Sequence, residues 1–102
     1  MSKFVKVAKK SEIVDKSSKC IEVEGKRIAL FNINGEIYAI DNTCTHSGGP
    51  LSEGFIEGEE VECPWHGARF NIKSGEVLAA PASEGVAKYN VRITSDDVEV
   101  EV

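Results

Sequence analysis

Two short pairs of metal-binding side chains, Cys44-Thr45-His46 and Cys63-Pro64-Trp65-His66, are separated by sixteen residues. They use both histidines of the chain and two of its three cysteines. Thiolate and imidazole together suit either a zinc ion or an iron–sulfur cluster. For all four side chains to reach one centre, the chain between them must travel out and return, so two loops are held side by side. Each pair is mixed, one Cys with one His, and the first has a single residue between its ligands. Structural zinc sites usually draw on Cys-x-x-Cys and His-x(3–5)-His pairs. A two-iron cluster fits mixed pairs if one iron takes both thiolates and the other both imidazoles. Each loop then gives one ligand to each iron.

The flanking sequence is built to hold such loops. Asn34-Gly35 lies between Phe31-Asn32-Ile33 and Glu36-Ile37-Tyr38-Ala39-Ile40, and Asn-Gly accepts the positive φ angles of a type I′ hairpin turn. The second strand of that hairpin runs through Asp41-Asn42-Thr43 into the first pair. Ser47-Gly48-Gly49-Pro50 then makes a sharp, side-chain-poor bend, and backbone amides at Gly48 and Gly49 can approach a sulfur closely. Glu60-Val61-Glu62 leads as a strand into Cys63. Ala68–Ile72 leaves as another, and Ser74-Gly75 turns it into Glu76-Val77-Leu78.

Elsewhere strands are expected over 3–8, Ile21–Glu24, Arg27–Asn32, Ala87–Thr94 and Val98–Val102, with one helical turn at Ser11-Glu12-Ile13-Val14. In the last strand Val98, Val100 and Val102 face inward and Glu99 and Glu101 outward. No long helix is indicated. Short strands punctuated by turns every eight to twelve residues indicate an all-β sandwich or barrel.

At 102 residues the chain is expected to be one domain. No apolar run approaches the length needed to span a bilayer, and the first residues lack a signal core, so a cytoplasmic protein with no membrane association is expected. The net charge of −5 argues against nucleic acid as a partner. Five acids, Glu53, Glu57, Glu59, Glu60 and Glu62, fall between the two pairs with no Lys or Arg among them. They are either an acidic docking surface for a basic partner or solvated charges of loop and strand. Cys20 alternates with Glu22 and Glu24 on an exposed strand face, opposite Ile21 and Val23, and is expected to be a small side chain without redox function.

Cys-x-His, the sixteen-residue gap and Cys-x-x-His-Gly resemble the two ligand loops of the Rieske [2Fe–2S] family. The likeness extends from the strands before Cys44 to Pro81 and the final strands. It implies a Rieske-type antiparallel β-sandwich over 1–102, with a small cluster-binding subdomain over about 42–82 formed by two hairpin loops. It also implies a [2Fe–2S] cluster on Cys44, His46, Cys63 and His66, with Gly48, Gly49, Trp65, Gly67 and Pro81 around it. Pro81 stands where the family has a proline loop shielding the cluster, although an ordinary turn there would serve the chain as well. Trp65 either covers the cluster, joins a docking face or simply packs between loops. Arg69 has either a nearby acid or a partner to meet.

The ligand set bears on potential. Two ferric ions, two sulfides and two thiolates sum to a neutral oxidised core, whereas four thiolates would leave a dianion. Reduction is easier from neutrality, which agrees with Rieske centres at roughly −150 to +300 mV against roughly −400 mV for plant-type ferredoxins. The quinol-oxidising branch of the family has an additional Cys in each loop, forming a disulfide. Gly49 and Trp65 stand in those places and exclude the bridge. That branch also has a Ser and a Tyr whose hydroxyls bond to sulfur, where this chain has Ala68 and Phe70. Without those donors the potential is expected in the lower half of the range.

The resemblance therefore implies a one-electron carrier and not an enzyme by itself, similar to the ferredoxin components of aromatic-ring dioxygenase systems. Its partners would be an NAD(P)H-fed flavoprotein reductase and a terminal oxygenase or other redox acceptor, and it would act as a monomer. Two alternatives are a small Rieske subunit of a nitrite-type reductase and, from a different class, a zinc-stapled binding module.

Overall fold

The computed structural model describes residues 3–43, 49–65, 67–79 and 85–102. Among them, regular structure consists of eleven strands and two 3₁₀ turns, Lys10–Glu12 and Leu51–Glu53. The strands are β1 (Phe4–Lys9), β2 (Ser17–Val23), β3 (Lys26–Ile33), β4 (Glu36–Asp41), β5 (Phe55–Glu57), β6 (Glu60–Glu62), β7 (Arg69–Asn71), β8 (Val77–Ala79), β9 (Lys88–Tyr89), β10 (Val91–Thr94) and β11 (Asp97–Glu101). They form three antiparallel sheets, ordered β1-β11-β10, β2-β3-β4-β9 and β5-β6-β7-β8. The all-β expectation holds. No helix among the described residues is long and apolar enough to cross a membrane.

The middle sheet is covered on both faces, and β3 shows why. Six consecutive residues, Ile28 to Ile33, are buried, so the strand reads as an apolar run instead of an alternation. Ala29, Phe31 and Ile33 face a core shared with Leu51, Val61, Cys63, Ala68, Phe70 and Ile72. Ile28 and Leu30 face a second core with Ala8, Ile13, Val98 and Val100. Each fully buried large aliphatic or aromatic side chain contributes roughly 1.5–3 kcal/mol of transfer free energy. The sheet β5-β6-β7-β8, which carries the second Cys–His pair, is thus fixed to the rest of the molecule through Val61, Phe70 and Ile72.

Asn32 is the polar exception inside β3, and both ends of its amide are used. Its Nδ2 donates to the Ile13 carbonyl at 2.7 Å and its Oδ1 accepts from Gly35 N at 2.9 Å. A buried amide so satisfied ties the connection before β2 to the hairpin turn. At that turn Asn34 and Gly35 have φ of 55° and 89°, as the Asn-Gly pair predicts.

Two expectations need correction. The strand over Ala87–Thr94 is divided at Asn90, because β9 pairs with β4 while β10 pairs with β11. Asn90 makes the transfer between sheets and bonds back to Glu101 through its carbonyl and its side chain. Phe55–Glu57 is a strand where the sequence offers only a loop signal. Three residues after a glycine carry too little periodicity to identify, and only pairing with β6 makes them a strand.

Candidate metal centre

The neck of the first loop is closed from several sides. β4 ends at Asp41, and Thr43 forms an antiparallel bridge with Pro50, so residues 44–49 lie between two paired positions. Asn42 is buried and organises this neck. Its N–H donates to the Arg27 carbonyl at 3.1 Å, its carbonyl accepts from Leu51 N at 2.7 Å, and its Oδ1 accepts from Ser52 N at 2.8 Å. Ser18 Oγ donates to the Ser52 carbonyl, which binds the same turn to β2. Nothing in the sequence marked Asn42 for this task beyond its place before Thr43-Cys44.

The second loop is a hairpin between β6 and β7. Cys63 N donates to the Ala68 carbonyl at 2.7 Å and Gly67 N to the Cys63 carbonyl at 3.1 Å. Gly67 has a φ of +79°, the left-handed region that side chains disfavour. Among the described residues nothing within 4 Å would meet a Cβ there, so the conformation is what calls for glycine.

The two loops meet at Gly49. A Cβ built on this residue would lie 2.8 Å from Cys63 Sγ and 3.1 Å from Cγ and Cδ2 of Trp65. Here glycine is needed for space. Cys63 is buried in the same core as Leu51, Val61, Ala68 and Phe70. Ala68 and Phe70 are themselves fully buried and bring no hydroxyl to that core. A cysteine sulfur close to Gly49 of the other loop, a glycine position that a Cβ would fill, and an apolar floor together fit a [2Fe–2S] cluster held between the loops. Cys44, His46, Gly48, His66 and Pro81 lie outside the described residues.

The acids between the two pairs are not left without cations. Register places Glu62 opposite Arg69, and Arg69 reaches Glu57 at 3.5 Å, Glu60 at 3.4 Å and Glu62 at 3.3 Å. The charge of Glu57, then hydrogen bonding to Glu62, raises the Arg69 pKa above its ordinary value. Lys73 pairs with Glu59 at 3.0 Å, and that hydrogen bond is the main cause of its raised pKa. Sequence order hid these pairs because both cations come after the second loop. Five carboxylates against two cations still leave three negative charges here. Phe55, paired across from Glu62, is also exposed. Cys20 is exposed on β2, as expected.

Residues 3–90 match the family described as the Rieske [2Fe–2S] domain. The ferredoxin component of the naphthalene 1,2-dioxygenase system of Pseudomonas putida is 38% identical over 100 residues, covering 98% of this chain and 96% of its own. The ferredoxin of carbazole 1,9a-dioxygenase from Nocardioides aromaticivorans IC177 superposes with a TM-score of 0.91 at 28% identity, covering 95% of both chains. A structure described as the complex of reduced oxygenase and oxidized ferredoxin in carbazole 1,9a-dioxygenase matches with a TM-score of 0.90 at 28% identity. That match covers 95% of this chain and 91% of the other. A fold and a sequence shared over nearly the whole chain make this protein a member of the Rieske [2Fe–2S] domain family.

Proposed function

We propose that this protein is a one-electron carrier, the ferredoxin component of a ring-hydroxylating dioxygenase-type system. The observation that carries this is the full-length likeness to such components, 38% identity over 98% of the chain, in a fold whose two ligand loops meet at Cys63 and Gly49. Cys44 and Cys63 would hold one iron, and His46 and His66 the other. The [2Fe–2S] cluster supplies the one-electron couple, and the protein supplies its setting. Cys63 and Gly49 close the loops on each other, while Asn42 and the Thr43–Pro50 bridge keep the first loop on its strand. The side chains of Ala68 and Phe70 have no hydroxyl to offer a sulfur, which would leave the added electron less stabilised and keep the potential low.

The partner supported by relatives is an oxygenase, since a related ferredoxin is found in complex with one. An NAD(P)H-fed flavoprotein reductase as donor, a monomeric state and a cytoplasmic location complete the proposal. The exposed thiol of Cys20 is at home in a reducing compartment.

The test is a redox titration of the purified protein, with visible absorption, EPR and metal analysis. Brown protein with a rhombic Rieske signal and a potential below about 0 mV is the expected result. Colourless protein containing zinc would overturn the assignment in favour of a binding module. A brown protein that reduces poorly through a dioxygenase reductase, but well within a nitrite reductase, would place the same cluster in a different system.

A further inference from the structure

Gly49 and Trp65 belong to different ligand loops and are pressed together. At 3.1 Å from two atoms of the indole and 2.8 Å from Cys63 Sγ, a Cβ on Gly49 would have no room. The indole ring and the Cys63 sulfur both crowd the place a side chain on Gly49 would take. Its conformation is not the reason, because Gly49 is absent from the positive-φ glycines.

The ring itself is not a core filler. Trp65 remains 58% exposed, although tryptophan gains more than most side chains from burial. Its position serves the contact with the other loop. Each loop is closed at its own base, the first by Thr43–Pro50 and the second by Cys63–Ala68. Those bonds fix each loop to its own strands. Beyond the bases, Gly49 meets the second loop at Cys63 and at Trp65, and of these two only Trp65 offers a broad side-chain surface.

Resting on the function proposed above, we propose that Trp65 closing on Gly49 is a noncovalent clip that holds the two ligand loops together around the cluster. Trp65 is then a positioning residue for cluster retention, and Gly49 is its seat. Opening the clip would let the loops part and admit water and chelators to the ligand sulfur, while the sheets beneath stay folded.

Trp65 is the single tryptophan of the chain, so its emission reports on the clip directly. In the holoprotein, cluster absorbance and tryptophan emission are followed together in excess chelator. Emission quenched in the brown protein, and rising in step with bleaching, is expected. Trp65→Ala and Gly49→Val should bleach several-fold faster than the parent, with unchanged thermal unfolding of the β-sheets by circular dichroism. Trp65→Phe keeps a ring on Gly49 and should restore most of the parent lifetime. Bleaching of Trp65→Ala at the parent rate, a Trp65→Phe protein as labile as Trp65→Ala, or emission indifferent to the cluster would each overturn the clip. A colourless parent would instead overturn the proposed function before any variant is compared.

Discussion

Tyr89 Oη donates a hydrogen bond to Asp41 Oδ1 at 2.6 Å, across a separation of 48 residues. Asp41 is the last residue of β4, the strand that runs into the first ligand loop, and its own N–H is held by the Ala87 carbonyl at 2.9 Å. The short strand β9 thus acts as a brace for the end of β4. Partial burial, and then the bond and charge of Asp41, push the Tyr89 pKa up to about 12.

Because the folded pKa lies above the ordinary 10.0, the fold favours the neutral phenol. Stability from this group is complete below about pH 10 and is lost as pH rises through about 12. Tyr89→Phe should cost roughly 1 kcal/mol at pH 8 and should remove this group's part of the alkaline loss. Urea denaturation of both proteins at pH 8 and pH 11 checks it, the gap between them narrowing at the higher pH.

Phe70 is fully buried in the core that contains Cys63. Phe70→Tyr adds a donor where the family resemblance places one bonded to sulfur. One hydrogen bond of roughly 1 kcal/mol corresponds to roughly 40 mV for a one-electron couple. A rise of that order in the titrated potential is expected. An unchanged potential would show that position 70 does not address the cluster.

Arg69 meets three carboxylates, yet Glu57 is 79% exposed and its partners lie at 3.3 to 3.5 Å. Exposed pairs of this kind are screened and contribute little to stability. Arg69→Ala should therefore leave the unfolding midpoint nearly unchanged. The same change makes this face more negative, so association with a redox partner should become more sensitive to salt. Stopped-flow reduction at two ionic strengths measures the second effect separately from the first.

Gly67 and Gly49 should fail for different reasons. Gly67→Ala places a side chain at φ of +79° and should cost about 1–2 kcal/mol without crowding any neighbour among the described residues. Gly67→Asn, which tolerates that region better, should recover part of the loss. Comparing their chemical denaturation curves distinguishes backbone strain from contact.

The Asn34-Gly35 turn, the strand leading into Cys63 and the inward valines of β11 were legible in the sequence, as was the spacing of the two Cys–His pairs that nominates the site. Each is decided by chemistry within a few residues: donor type and spacing, positive φ, or alternation along a strand. The assignment to an all-β class followed from the same local signals. Other features depend on which strands become neighbours, and the sequence does not state that. The continuous burial of Ile28 to Ile33 requires cores on both faces of one sheet. The division of Ala87–Thr94 at Asn90 follows from two pairing partners. Arg69 finds Glu57, Glu60 and Glu62 only through the register of β5, β6 and β7. Gly49 and Trp65, sixteen positions apart, become a contact only when two hairpins are packed against the same core. Local geometry is written residue by residue, whereas register and packing are set by the cooperative burial of surfaces distant in the chain.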